Sequence, residues 1–349
     1  MKFISTPRPL PSLPRLRGRS RFGAAKARLR GSVGWGLLAA ALLFYPLVLS
    51  GPFYLDVGVT FLLAAISASA WNIVGGYAGQ VSVGHSMFFG LGAYMPLLVY
   101  TQWGWPPIAG IPIGILLAVG VAVVIGTPTL RLTGHYFSMA TIAVAELIRI
   151  SVGTLDFLGA AIGLQGPATA RGWWDLTFRG ELPYYYIFLA VLGLLLFTTA
   201  AIERRRFGFY LSAIKASERA ARSLGVPVRQ TKLQALALSA AFTAIAGSLY
   251  VTKTGFIDPD SGFGILISVQ MVIVAALGGA GTLFGPLLGA LILIPLQTAT
   301  NTWFGGGGSG LTYILYGGII VVIARFEPSG LFELWHRLAP RLRKRVHAA

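Results

Sequence analysis

Residues 108–127 read Ile-Ala-Gly-Ile-Pro-Ile-Gly-Ile-Leu-Leu-Ala-Val-Gly-Val-Ala-Val-Val-Ile-Gly-Thr, without one charged side chain. At a rise of about 1.5 Å per residue, a helix of this length spans about 30 Å, the thickness of a bilayer's hydrocarbon core. Similar windows, separated by turn signals, recur at 33–49, 55–74, 86–101, 135–154, 184–202, 233–251, 265–279, 283–300 and 311–325. Together they predict about ten transmembrane helices in an all-α membrane protein. Several windows are short, and the one ending at Gly279 is followed almost at once by the next, so a re-entrant or broken helix is expected there.

Composition agrees. Of 349 residues, 55% are hydrophobic and 11% charged, against roughly 25% charged in ordinary soluble domains. A soluble fold could not hide so much apolar surface, whereas lipid accepts it. The net charge of +17 is spread in a telling way: of 28 Lys and Arg, nine lie in 1–30, eight in 204–232 and six in 325–349. Basic residues gathered between spans follow the positive-inside rule and suit anionic headgroups. They form no stripe interleaved with aromatics, which argues against a nucleic-acid role.

An even number of spans puts both termini on one side, and the basic segments make that side cytoplasmic. Arg171, Arg179 and Lys253 fall in outer loops, where Asp156, Asp175, Glu181, Asp258 and Asp260 outnumber them. Trp103, Trp105, Trp173, Trp174 and Trp303 fall at outer ends, and Trp35, Trp71 and Trp335 at inner ends, as interfacial anchors do. The plan is a basic cytoplasmic tail over 1–32, a membrane domain over 33–325 with an inner loop at 203–232, and a basic cytoplasmic tail over 326–349. The basic start and the apolar stretch after it imitate a signal peptide, but no convincing cleavage site follows and further spans do, so a retained first helix is expected. The absence of cysteine excludes disulfides and thiolate chemistry.

The inner loop contains a short amphipathic pattern, predicted as one helix over Leu211–Leu224. Lys215, Glu218, Arg219 and Arg222 share one face; Leu211, Ile214, Ala221 and Leu224 supply the other. Gly225 ends the helix and Pro227 prevents its resumption. Two readings fit: a helix lying on anionic lipid through its basic residues, or one docking in a protein groove through small residues at Ala220 and Ala221.

Asn72 to Tyr94 reads N-I-V-G-G-Y-A-G-Q-V-S-V-G-H-S-M-F-F-G-L-G-A-Y, with Gln80, Ser82 and His85 among six glycines. Small residues let helix backbones approach closely, and polar groups at membrane depth need protein or a water-filled cavity around them. Tight packing with a satisfied histidine and the wall of a substrate path both fit. A second block, Leu277-Gly278-Gly279-Ala280-Gly281-Thr282-Leu283-Phe284-Gly285-Pro286, likewise joins an inward-running span to an outward-running one. Glu146 and Arg149, three apart, are the charges well inside a predicted span, and pairing along one helix face neutralises them.

These segments resemble the permeases of branched-chain amino acid ABC transporters, in particular the Liv-type, M-like member of the permease pair. The run Ala213-Ile214-Lys215-Ala216-Ser217-Glu218-Arg219-Ala220-Ala221-Arg222-Ser223-Leu224-Gly225 looks like that family's coupling loop, with Arg219 where an apolar residue is commoner. Gly76 to His85 looks like its G-Y-A-G-Q-x-S-x-G-H signature, and Gly278 to Pro286 like its G-G-x-G-T-x-x-G-P element. The likeness covers about residues 55–332 and departs from the pattern at Gly159–Leu164 and at Asp258-Pro259-Asp260, both on the outer side.

The resemblance implies an inner-membrane permease subunit that performs no covalent chemistry and holds no cofactor, ATP being bound by partner chains. The implied partners are a homologous second permease, two cytosolic ATP-binding subunits and an extracytoplasmic binding protein. It implies ATPase-coupling residues Ile214, Lys215, Glu218, Ala220, Ala221 and Gly225, and a path near Asn72, Gly79, Gln80, Ser82, His85, Gly279, Gly281 and Thr282. Branched-chain or related hydrophobic amino acids are the expected cargo, with urea, short amides or aromatic acids as alternatives.

Rival classes fit less well. An ion-coupled secondary transporter would use intramembrane carboxylates, and Glu146 has a basic partner one turn away. A G-x-x-x-x-G-K-[ST] phosphate loop is absent, so any ATPase is another polypeptide. An intramembrane serine protease could be read from Gly307-Gly308-Ser309-Gly310, but His336 and His347 lie in the opposite, cytosolic tail. Four scattered histidines at no helical spacing offer no metal site.

Overall fold

The computed structural model describes Gly36 and residues 39–167, 172–303 and 317–318. The tails at 1–32 and 326–349, Arg171, the glycine run at 307–310 and all but two residues of the window 311–325 lie outside them. The chain divides into two units, Met1–Val48 and Leu49–Ala349. The first contributes an apolar helix, α1, at Ala39–Val48.

The second unit is helical: α2 (Pro52–Asn72), α3 (Ser86–Trp103), α4 (Gly110–Thr129), α5 (His135–Thr154), α6 (Leu182–Arg204), α7 (Arg206–Ala216), α8 (Glu218–Ser223), α9 (Val228–Thr254), α10 (Pro259–Phe263), α11 (Ile265–Gly278) and α12 (Gly285–Trp303). Among the described residues, six helical stretches are long and apolar enough to cross a membrane: Pro52–Tyr77, Pro107–Thr129, His135–Thr154, Leu182–Arg204, Val228–Thr254 and Pro259–Gly278. α3 and α12 occupy the expected windows at 86–101 and 283–300. The chain is therefore an all-α, multi-pass membrane protein.

Burial separates a centre from a rim. The apolar windows of α2 and α9 are 78% and 72% buried, whereas those of α4, α5 and α6 are 22–28% buried and leave their faces to lipid or to another subunit. Small residues let α3 and α9 approach closely, and the Ser248 hydroxyl on α9 donates to the Gly92 carbonyl on α3 at 2.8 Å. Such bonds replace those that water cannot supply at membrane depth.

β1 (Leu164–Gln165) pairs antiparallel with β2 (Phe256–Ile257), with Leu164 opposite Ile257. α10 follows, closed by a capping box between Asp258 and Ser261, and leads directly into α11. The span expected at 265–279 thus begins with an extra turn at Pro259.

The inner loop differs from the expected single helix. At Ser217 the backbone is extended (φ −163°, ψ 112°), and its hydroxyl accepts the Ala220 N–H, capping α8. Serine competes for backbone donors in this way and so favours a helix start over a helix interior. Leu211 to Leu224 is therefore divided between α7 and α8.

Candidate functional site

The two glycine-rich segments meet within the second unit. α2 widens into a π-helical stretch, Ile73–Tyr77, and the chain then turns at Gly79, whose φ of +68° suits glycine. α11 ends at Gly278, and Thr282 shapes the turn that follows: its hydroxyl donates to the Gly279 carbonyl at 2.8 Å and accepts the Gly285 N–H at 3.1 Å. Asn72 joins the two. Its Nδ2 donates to the Thr282 carbonyl at 2.9 Å and its Oδ1 accepts the Gly281 N–H at 2.7 Å. One buried amide, 1% exposed, thus ties the end of α2 to a donor and an acceptor of the turn between α11 and α12. A β-carbon on Gly76 would collide with Asn72 Oδ1 and the Gly281 nitrogen, so the approach depends on glycine.

Ser82 and His85 lie deeper, both fully buried. His85 Nδ1 is 3.0 Å from the Ser82 hydroxyl and Nε2 is 2.9 Å from the Ser239 hydroxyl. Ser239 gives its proton to the Ala70 carbonyl, so in the neutral ring Nε2–H donates to Ser239 and Nδ1 accepts from Ser82. Trp71 Nε1 donates to the Ser82 carbonyl at 2.7 Å, and Thr141 of α5 accepts the Val83 N–H. The histidine is held by hydroxyls from two segments. Gly79 and Val81 reach the surface and Gln80 is half-buried.

The inner loop lies against this junction. Tyr77 donates its hydroxyl proton to Glu203 at the end of α6, at 2.6 Å. Lys215, in the last turn of α7, stretches over both turns: a β-carbon on Gly79 would stand 3.1 Å from its Cγ, and one on Gly281 2.7 Å from its Nζ. Ile214, Ala221 and Val228 form a small apolar core. Glu218 accepts from Lys232 at 2.6 Å and pairs with Arg222 at 3.3 Å. Lys232 is 1% exposed, so the first of these bonds neutralises a charge the fold has buried. Ala220, Gly225 and Leu224 face outward. The two alanines therefore part company, Ala221 packing within its own chain and Ala220 remaining free to meet another surface.

Three contacts were not read from the pattern: Tyr77 with Glu203, Glu218 with Lys232, and Asp260 with Arg149. Glu203 had a signal, as the acid beside the basic run Arg204–Arg206. A cavity of about 300 Å³ also opens between α2, α3, α9, α11 and α12, with Thr60, Ser67, Gln270 and Gln297 on its wall. Among the described residues, Gln297 Oε1 has no hydrogen-bond donor.

Known proteins share this arrangement of sequence. The family profile described as branched-chain amino acid transport system / permease component matches residues 53–324. The chain is similar to the high-affinity branched-chain amino acid transport system permease protein LivM of Escherichia coli, 29% identical over 80% of this chain and 70% of the relative. It is 23% identical to BraD of Pseudomonas aeruginosa, a permease of the same description, over 79% of this chain and 92% of the relative. The fructose import permease protein FrcC of Rhizobium meliloti is 23% identical over 83% of both chains. No solved structure matches.

Proposed function

The chain belongs to the branched-chain amino acid transport system permease family, and on that premise we propose that it is the membrane-spanning subunit of an ABC importer for branched-chain or related hydrophobic amino acids. It pairs with a homologous permease, two cytosolic ATP-binding subunits and an extracytoplasmic binding protein. ATP binding closes the ATPases, the loop at 203–232 moves with them, and the path between the permeases changes the side it faces.

The observation that carries this reading is the placement of α7 and α8. One face of the loop, through Ile214 and Ala221, packs on its own chain; the other, through Arg219, Ala220, Ser223 and Leu224, is presented outward. Leu224 is 83% exposed, an apolar side chain without cover at the tip of a stopped helix. Behind the loop stand the two turns clamped by Asn72, so a push on the loop reaches the inner ends of α2 and α11. Gly79, Gln80, Gly279, Gly281 and Thr282 are then the moving parts of an inner gate, and Ser82 and His85 its fixed support.

The test is uptake by the five-subunit complex in proteoliposomes. ATP-dependent accumulation of leucine, isoleucine or valine supports the reading. Failure of all three to bind the partner binding protein removes the cargo assignment, and uptake in the absence of the ATPase removes the transport class. The similarity to a fructose permease gives a sugar a place in the cargo screen.

A further inference from the structure

Three helices of the second unit run out at one place. α2 with its π-helical extension ends at Tyr77, α11 at Gly278 and α7 at Ala216. Each end leaves carbonyl oxygens without an intrahelical donor and carries partial negative charge. Lys215 belongs to the last turn of α7, yet its side chain reaches across to the other two ends. A β-carbon built on Gly281 would touch both the Lys215 ammonium, at 2.7 Å, and the Gly76 carbonyl oxygen, at 2.8 Å. The stem of the same lysine passes beside Gly79, whose β-carbon would stand 3.5 Å from the Lys215 Cα. Gly79 and Gly281 both have positive φ, +68° and +87°, and neither carries a side chain that would keep the lysine out. Among the described residues no carboxylate pairs with Lys215. The residue is exposed overall, and its ammonium stands beside the main chain of Gly281 rather than beside an acidic side chain.

We propose that Lys215 is a positioning residue, the tethered cation through which the inner loop holds or releases the two glycine turns. Ion-coupled transporters place a mobile cation where unwound helix ends present their carbonyls. Here the cation is fixed to α7, so its position follows the loop. With the loop seated, the ammonium lies against the ends of α2 and α11 and favours the turns in their clamped arrangement. Displacement of the loop withdraws the charge, and the two ends lose a shared counter-charge in the same movement. The inference rests on the reading of 203–232 as the ATPase-docking loop. It gives Lys215 an inward role, distinct from any contact with the ATPase.

The chain has no cysteine, so Lys215→Cys introduces a single thiol that chemistry can convert. In the full complex, its other subunits freed of cysteine, alkylation with 2-bromoethylamine rebuilds a lysine-like side chain with its charge. 1-Bromopropane gives a neutral chain of the same length. The readout is uptake per ATP hydrolysed, with co-purification of the ATPase measured in parallel. Lys215→Cys is expected to lower that ratio by about fivefold or more, the lower end of couplings between sites. The aminoethyl adduct restores it and the propyl adduct does not. Equal rescue by both adducts, or a ratio unchanged by Lys215→Cys, overturns the proposal. Loss of the ATPase on purification of Lys215→Cys also overturns it, by making Lys215 a docking contact. Failure of the docking reading shows separately, as retention of the ATPase when the exposed Ala220 is replaced by Trp.

Discussion

Arg149 on α5 donates to Asp260 on α10 at 2.5 Å, across 111 residues of sequence, while its other nitrogens hold Glu146 at 2.6–3.1 Å. The pair expected along one helix face is thus a trio, and its third member comes from α10. The Glu146 and Arg149 side chains are 42% and 29% exposed on a helix long enough to span a membrane. Hydrocarbon does not suit them there, so this face of α5 turns toward protein or water.

Glu146→Gln leaves Arg149 paired with Asp260, and uptake is expected to persist when an uncoupler collapses the ion gradient. The stability cost is about 0.2–1 kcal/mol, as for a partly exposed pair. Abolished uptake with normal assembly would show that Glu146 carries an ion.

Asn72→Ala removes both clamping bonds and leaves the Gly281 N–H and the Thr282 carbonyl unpaired. A loss of about 1–3 kcal/mol is expected, the usual cost of buried groups left open. Thermal denaturation of the purified complex measures it. Asn72→Asp should be no better, because a carboxylate cannot donate to Thr282. An unchanged melting temperature in both variants would show that the clamp contributes nothing.

Ala221→Trp and Ala220→Trp should fail differently. Ala221 is 2% exposed beside Ile214 and Val228, so a larger side chain overfills the chain's own core, at about 1–3 kcal/mol. Ala220 is exposed, and Trp there should spare stability while reducing co-purification of the ATPase. Loss of ATPase from neither variant would return the loop to the lipid surface.

Leu224→Cys places a thiol at an 83% exposed site in a chain with none of its own. An impermeant maleimide should label it in inside-out vesicles and not in intact cells. Labelling from outside would invert the topology.

The membrane helices were legible because each is an apolar window of about twenty residues, a signal set by bilayer thickness and not by neighbours. The paired charge at Glu146 and Arg149 was legible for a similar reason, being local. The rest depended on distance. Asn72 finds its partners 209 and 210 residues away, and nothing near Asn72 marks it as a clamp. The break at Ser217 was hidden because the charges around it keep helical spacing on both sides, while one hydroxyl decides the backbone. Ala220 and Ala221 read alike in sequence, and only the packing of Val228 against α7 and α8 tells them apart.

The short pairing of Leu164 with Ile257 has a consequence for how this chain can change over time. Gly163 backs onto Ile257 and Asp258, where a β-carbon would strike main chain, and the Gly166 N–H is bound to the Gly255 carbonyl at 2.8 Å. The stretches 159–164 and 258–260, where the sequence resemblance is expected to lapse, are therefore neighbours. A substitution in one is felt by the other, and a chimera that imports a relative's version of either alone sets foreign backbone against native backbone. They should be inherited together, and exchanged together by anyone redesigning this region: two separate stretches of gene, one interchangeable part.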